Sequence, residues 1–243
     1  MALQRISYPD RASWLAGRSA QGLGASEAAA VCGMSPWISK NELWELKRGI
    51  RKAKDISDNA EVQRGVSMEG AVRGFFSNLH PEYSIEYHPY DILFQEERHW
   101  LFSTLDGEIT EYGWKDPPEG TRHIYIPADG EPVEKPVGRV PFVRHGVLEI
   151  KTASPNGKAS WAEWEGKVPG HYYAQLCHQL LATGYDFAVL QAALWTRSGD
   201  IILREYHFER ADCEADISWL LSQEEEFWMS VQTGKRPGAP IRF

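Results

Sequence analysis

Gly146-Val147-Leu148-Glu149-Ile150-Lys151-Thr152 is the stretch on which the reading of this chain turns. Its β-branched and apolar residues favour a strand. Side chains alternate faces along a strand, so Glu149 and Lys151 point one way while Leu148 and Ile150 enter the opposite, apolar layer. A carboxylate and an ammonium on one side of a buried strand cost free energy unless they pair with each other or with a metal and substrate. Such a pair suits phosphodiester hydrolysis: the carboxylate can hold a divalent cation. The lysine can orient or help deprotonate the attacking water, or stabilise the developing charge. An exposed, salt-bridged strand is the plainer account of an E-x-K triplet, and the triplet alone does not choose between the two.

A second carboxylate lies upstream. His99-Trp100-Leu101-Phe102-Ser103-Thr104-Leu105-Asp106-Gly107 sets an aspartate at the end of an apolar strand, before a glycine that permits a sharp turn. Asp106 can therefore project over the sheet edge toward Glu149, although an Asp-Gly hairpin turn is the plain alternative. Asp129-Gly130 repeats the dipeptide nearer to Glu149, but its Pro-flanked setting reads as loop, so Asp106 is preferred.

Around these residues the chain divides by period, and its first third reads as helical. Ser39-x-x-Glu42 is a capping box ahead of a helix closed by Gly49, and Asn59 to Leu79 reads as a longer helix ended by His80-Pro81. Segments 84–94, 99–105, 108–113 and 145–152 read as strands. Residues 114–141, rich in Pro and Gly, show no period and read as an insertion between two strands. A helix from Pro169-Gly170 to about Thr183, strands at 187–195 and 201–208, and a helix from Asp212 to about Val231 follow. The pattern predicts one α/β domain over residues 1–243, with a central mixed β-sheet flanked by α-helices.

Composition removes several classes. With 42% hydrophobic residues in 243 the chain can bury a sizeable core. No apolar run approaches a membrane span and the N-terminus has no secretory apolar core, so the expected location is the cytoplasm, with no membrane contact. Cys32, Cys177 and Cys213 are far apart and form no CxxC pair, so they read as reduced thiols rather than zinc or cluster ligands. A formal net charge of -8 argues against a generic DNA-coating protein. Charge is uneven, however: Lys47, Arg48, Arg51, Lys52, Lys54, Arg64 and Arg73 cluster in one stretch. From Glu205 to Glu226, eight acidic residues face only Arg210. A basic binding face and ordinary solvated charge explain this equally well. The ten tryptophans read as core, and none is assigned to DNA.

Together with Arg64-Gly-Val-Ser-Met-Glu69, Tyr172-Tyr173-Ala-Gln175-Leu-Cys-His178-Gln179 and Gly24-Ala-Ser26-Glu-Ala-Ala-Ala-Val-Cys-Gly33-Met-Ser-Pro36, these segments resemble the YqaJ-like viral recombinases and the phage lambda exonuclease family. That family belongs to the PD-(D/E)xK nucleases with a restriction-endonuclease-like core. The resemblance runs from about Trp14 to Thr183. It implies that Asp106, Glu149 and Glu69 bind Mg²⁺, which Mn²⁺ can replace, and that Lys151 and Gln175 complete the catalytic set. Arg18 and Ser26 stand where the family holds a terminal 5′-phosphate. Leu105 replaces the family's proline before the aspartate, and the 114–141 insertion is a further departure. The resemblance also implies an exonuclease acting on double-stranded DNA ends, 5′ to 3′. A ring-shaped homotrimer, a single-strand annealing protein as partner and a phage or prophage origin have the same footing.

From the residues alone other readings stay open. Ser26 can simply N-cap the EAAAVCG helix, though a helix N-terminus is also a phosphate site. His171, Gln175 and His178 form one polar stripe that can be a wet helix face. Glu69 sits between Val66 and Val72 on a mostly apolar helix. An endonuclease or junction resolvase on the same core, or a catalytically silent DNA-binding module, are the competing functions.

Overall fold

The computed structural model describes residues 2–56, 58–125, 133–136 and 138–238. Their elements run β1 (Leu3–Ser7), α1 (Arg11–Gln21), β2 (Leu23–Gly24), α2 (Ala28–Val31), α3 (Lys40–Lys47), α4 (Ala60–Leu79), β3 (Tyr83–Glu86), β4 (Asp91–Gln95), β5 (Leu101–Ser103) and β6 (Gly107–Lys115). Then come β7 (Arg122–Tyr125), β8 (Val133–Pro136), β9 (Val140–Ala153), α5 (Lys158–Ala162), α6 (Gly170–Thr183), β10 (Phe187–Trp195), β11 (Ile201–Glu209) and α7 (Arg210–Thr233).

Strand β9 is central to a five-stranded mixed sheet of order β11-β10-β9-β6-β3, parallel to β10 and antiparallel to β6. Its alternation sorts the core. Val147 joins Ala188, Leu190, Ala192 and Leu194 of β10 beneath α6 and α7. Leu148 and Ile150 meet Val72 and Phe76 of α4 on the other face. Gly146 is required by packing, because the Phe187 ring lies 2.4 Å from where its Cβ would stand. A second mixed sheet, β1-β4-β5-β2, is present in addition to the central mixed sheet expected from the sequence. Arg5 ties the two sheets together, reaching Asp91 at 2.6 Å and Glu108 at 2.7 Å.

Several expectations are corrected. The predicted strand 84–94 is two strands in different sheets, split where Tyr90 takes φ 69° beside Pro89, a residue that cannot donate to a ladder. The first third is not helical throughout: α1 fits that reading, but β1 and β2 are strands of the second sheet. Residues 114–141 are not structureless: β6 and β9 pair out to Lys115↔Val140, and β7 pairs with β8 beyond them. Asp129 lies outside the described residues. Part of the basic stretch is engaged within the fold: Lys47 pairs with Glu27 at 2.7 Å, Arg48 donates to the Val231 carbonyl at 3.1 Å and Arg51 pairs with Glu42. All three cysteines are free, and burial pushes the Cys32 and Cys177 thiols up to about 12, which keeps them neutral. Among the described residues no helix is long and apolar enough to cross a membrane.

Candidate active site

Glu149 sits on the α6 side of β9 and is 3% exposed. A carboxylate so buried must be paired. Its Oε1 accepts from Lys151 Nζ and, at 2.7 Å, from Gln175 Nε2; its Oε2 accepts from Gln179 Nε2 at 2.5 Å. The salt bridge that would explain an E-x-K triplet as surface decoration is therefore present, but inside a cleft rather than on the surface. Burial opposes the charge on Lys151, yet Glu149 and Asp106 hold its pKa above the ordinary lysine value. In this arrangement it is a charge-stabilising ammonium rather than a base.

Asp106 follows β5 and precedes β6, which belong to different sheets, so the hairpin-turn alternative does not hold. One carboxylate oxygen accepts the backbone N–H of Ile150 at 2.8 Å, locking Asp106 to β9 between Glu149 and Lys151. Gly107 has no positive φ among the described residues; a Cβ there would meet Leu148 at 3.2 Å, so close packing rather than a sharp turn explains the glycine. Burial, and then the Glu149 charge, push the Asp106 carboxyl well above the ordinary carboxylate range.

From the other side of β9, α4 brings Glu69 to the same cleft. Gly65 allows that approach, its missing Cβ lying 3.1 Å from Thr152 Oγ1. Arg73 grips both sides, donating to Glu69 at 2.7 Å and to the Asp106 carbonyl at 2.5 Å. Burial raises the Glu69 pKa against the pull of Arg73. The helix is less apolar in its packing than its sequence suggested, with Val66 68% exposed.

Arg18, Ser26, Glu69, Asp106, Glu149, Lys151 and Gln175 all line one cleft of about 480 Å³. Arg18 stacks over Trp14 at 4.6 Å, and burial lowers its pKa against the opposing fields of Glu27, Asp106 and Glu149. Ser26 is exposed inside a short 3-10 turn and caps no helix: α2 begins after Glu27 with no side-chain cap. Instead, Glu27 accepts from the Gly24 N–H at 2.9 Å.

Helix α6 departs furthest from its sequence reading. His178 is not on a wet stripe but 0% exposed, bonded to Glu224 of α7 at 2.7 Å and to the Phe102 carbonyl at 2.9 Å. Gln179, one turn after Gln175, joins the site by its bond to Glu149, and the only signal for it in the sequence is its spacing of four from Gln175.

The donor set suits a hard divalent cation: carboxylate oxygens face one cleft, and the raised Asp106 pKa is what charge neutralisation would relieve. Among the described residues no three His, Cys, Asp or Glu side chains stand close enough to hold an ion by themselves. Asp106 and Glu149 would thus hold it with positions left open, while Glu69 shares the cleft without closing a three-ligand cage.

A search of solved structures gives an alkaline exonuclease, LHK-Exo, from Laribacter hongkongensis, at 16% identity, covering 92% of this chain and 94% of that one with a TM-score of 0.57. The same exonuclease in complex with dAMP matches at 19% identity, 93% and 99% coverage and a TM-score of 0.46. No match was found among curated proteins. The first likeness is one of fold, the α/β restriction-endonuclease-like core expected from the sequence. The model of the YqaJ-like viral recombinase domain matches residues 13–186, a stretch that contains every residue of the cleft named above, and the chain belongs to that family.

Proposed function

We propose that this protein is a Mg²⁺-dependent DNA exonuclease that degrades one strand of linear duplex, 5′ to 3′, leaving 3′ single strands for phage-type recombination. One observation carries the reading: Asp106 is bonded to the Ile150 N–H, between Glu149 and Lys151, in a cleft that also holds Arg18 and Ser26. The family supports action in recombination, and the alkaline exonuclease of like fold supports a nuclease that works from ends.

When bound by Asp106 and Glu149, with Glu69 nearby, the cation would activate water and neutralise phosphate charge. The protein's own groups do the rest. Lys151, kept protonated by its carboxylate neighbours, faces the scissile phosphate and stabilises its developing charge. The Gln175 and Gln179 amides fix the Glu149 carboxylate, and the Ile150 N–H fixes Asp106. Arg18 and Ser26 take the terminal 5′-phosphate and set the register of the strand. A homotrimer around DNA and a single-strand annealing partner belong to this reading through the family, as does action in the cytoplasm of a phage-carrying bacterium.

The test is degradation of linear duplex with defined 5′ ends, with and without Mg²⁺, beside a covalently closed circle. Loss of the linear substrate alone, and only with metal, is expected. Cutting of the circle at a similar rate would make the enzyme an endonuclease, and no cutting of either would leave a binding module.

A further inference from the structure

Trp37 is 70% exposed, in a loop held by hydrogen bonds that do not involve its indole. Met34 N–H and Ser35 N–H both donate to the Ala29 carbonyl, at 2.8 and 3.1 Å, and Ser35 Oγ accepts from the backbone N–H of Trp37 at 3.2 Å and Ile38 at 3.3 Å. So large an apolar ring displayed on a fixed loop contributes little to the core. It is placed beside the start of α6: its ring meets His171 edge-on, with centroids 5.0 Å apart, and stands 6.4 Å from Tyr172. His171 and Tyr172 are 4.1 Å apart, and Lys151 Nζ lies 5.0 Å from the centre of the Tyr172 ring. A continuous run of rings therefore leads from the ammonium at the cleft to an exposed indole.

We propose that Trp37, backed by His171, is a stacking platform for an unpaired nucleobase of the strand being cut. Three features select that occupant. The platform is continuous with the cleft that takes the phosphodiester, so a base adjoining the phosphate at Lys151 has a ring surface within reach. Stacking on an aromatic face is indifferent to base identity, as an enzyme that degrades any sequence requires. The flat faces of a base are free only when it leaves the duplex stack, so the platform also favours the frayed end over intact duplex. This inference rests on the nuclease reading given above.

The test uses the full-length protein in EDTA, to prevent cleavage, and 5′-phosphorylated single-stranded oligonucleotides carrying 2-aminopurine at successive positions from the 5′ end. Binding should quench fluorescence at one or two adjacent positions. Trp37→Ala should abolish that quenching and weaken binding about tenfold, the loss that one stacked base is worth. Trp37→Phe should restore most of both, while Trp219→Ala, removing an exposed indole on α7, should change neither. Unchanged quenching and affinity in Trp37→Ala, with wild type still degrading duplex in Mg²⁺, would overturn the platform alone. So would a changed oligomeric state on sedimentation with unchanged affinity per subunit, which would make this face a contact between copies. A wild-type protein that neither binds nor degrades DNA would remove the nuclease reading and the platform with it.

Discussion

Every oxygen of Glu149 is engaged, which makes its environment sharply dependent on single side chains. Asp106→Ala and Glu149→Ala are expected to lose metal binding and cleavage. Asp106→Ala should do so with little loss of fold, since it removes one of two like charges. Glu149→Ala also strands the Lys151 and Gln179 donors and should lower the melting temperature. Either purified variant cutting DNA near the wild-type rate would refute the assignment. Gln179→Leu leaves every proposed metal and phosphate group in place but frees one oxygen of Glu149. A fall of about 10- to 100-fold in activity is expected, as for other residues that orient a ligand. No loss in Gln179→Leu would show that the amide does not position Glu149. Arg18→Ala should slow degradation of 5′-phosphorylated duplex more than of 5′-hydroxyl duplex, whereas Lys151→Ala should slow both alike. Initial rates on the matched pair decide it, and a preserved phosphate preference in Arg18→Ala would take that residue out of the pocket.

At the scale of elements, α6 connects the cleft to the rest of the molecule. Its Gln175 and Gln179 hold Glu149, and the residue between those two grips, His178, is bonded to α7 and to the strand that leads into Asp106. Both ring nitrogens of His178 face oxygen acceptors, so the imidazolium is the form that satisfies the site. Burial opposes that charge, but Glu224 and the Phe102 carbonyl raise the His178 pKa above its ordinary 6.5. A histidine with a higher pKa folded than unfolded contributes stability that is complete below about pH 6.5 and is lost as pH rises through the folded value. Thermal stability should therefore decline above neutrality, and Glu224→Gln should flatten that decline. Calorimetric melting across pH checks this, and parallel curves for the two proteins would count against it. His178→Ala should cost about 3–5 kcal/mol, because it strands the Glu224 carboxylate in the core.

For the whole molecule, we propose that residues 1–243 fold as one nuclease domain that includes α7, although the family match stops at residue 186. Cutting the chain after Glu209 should then abolish cooperative unfolding as well as activity; a truncated protein with a sharp transition and full activity would separate α7 from the domain. Asp129→Ala, in the insertion, should keep most activity, and its loss with Asp106→Ala still active would reverse the choice of aspartate. What could be read along the chain is what depends on neighbours in sequence. The alternation around Glu149 located the strand and the shared face of Glu149 and Lys151, because strand period is set by the backbone itself. The Ser39–Glu42 box closed as expected, because both partners lie within one turn. Other features were decided only when distant segments met. The sequence could not show that Pro89-Tyr90 passes the chain from one sheet to another, since that depends on β4 finding β1 and Arg5 reaching both Asp91 and Glu108. Nor could it separate a wet His178 from a buried one, because helical spacing names a face but not what covers it, and here the cover is α7. The chain's own periodicity located the strand that carries Glu149 and Lys151; the long-range packing of α4, α6 and α7 around it determined which side chains surround the Glu149 carboxylate.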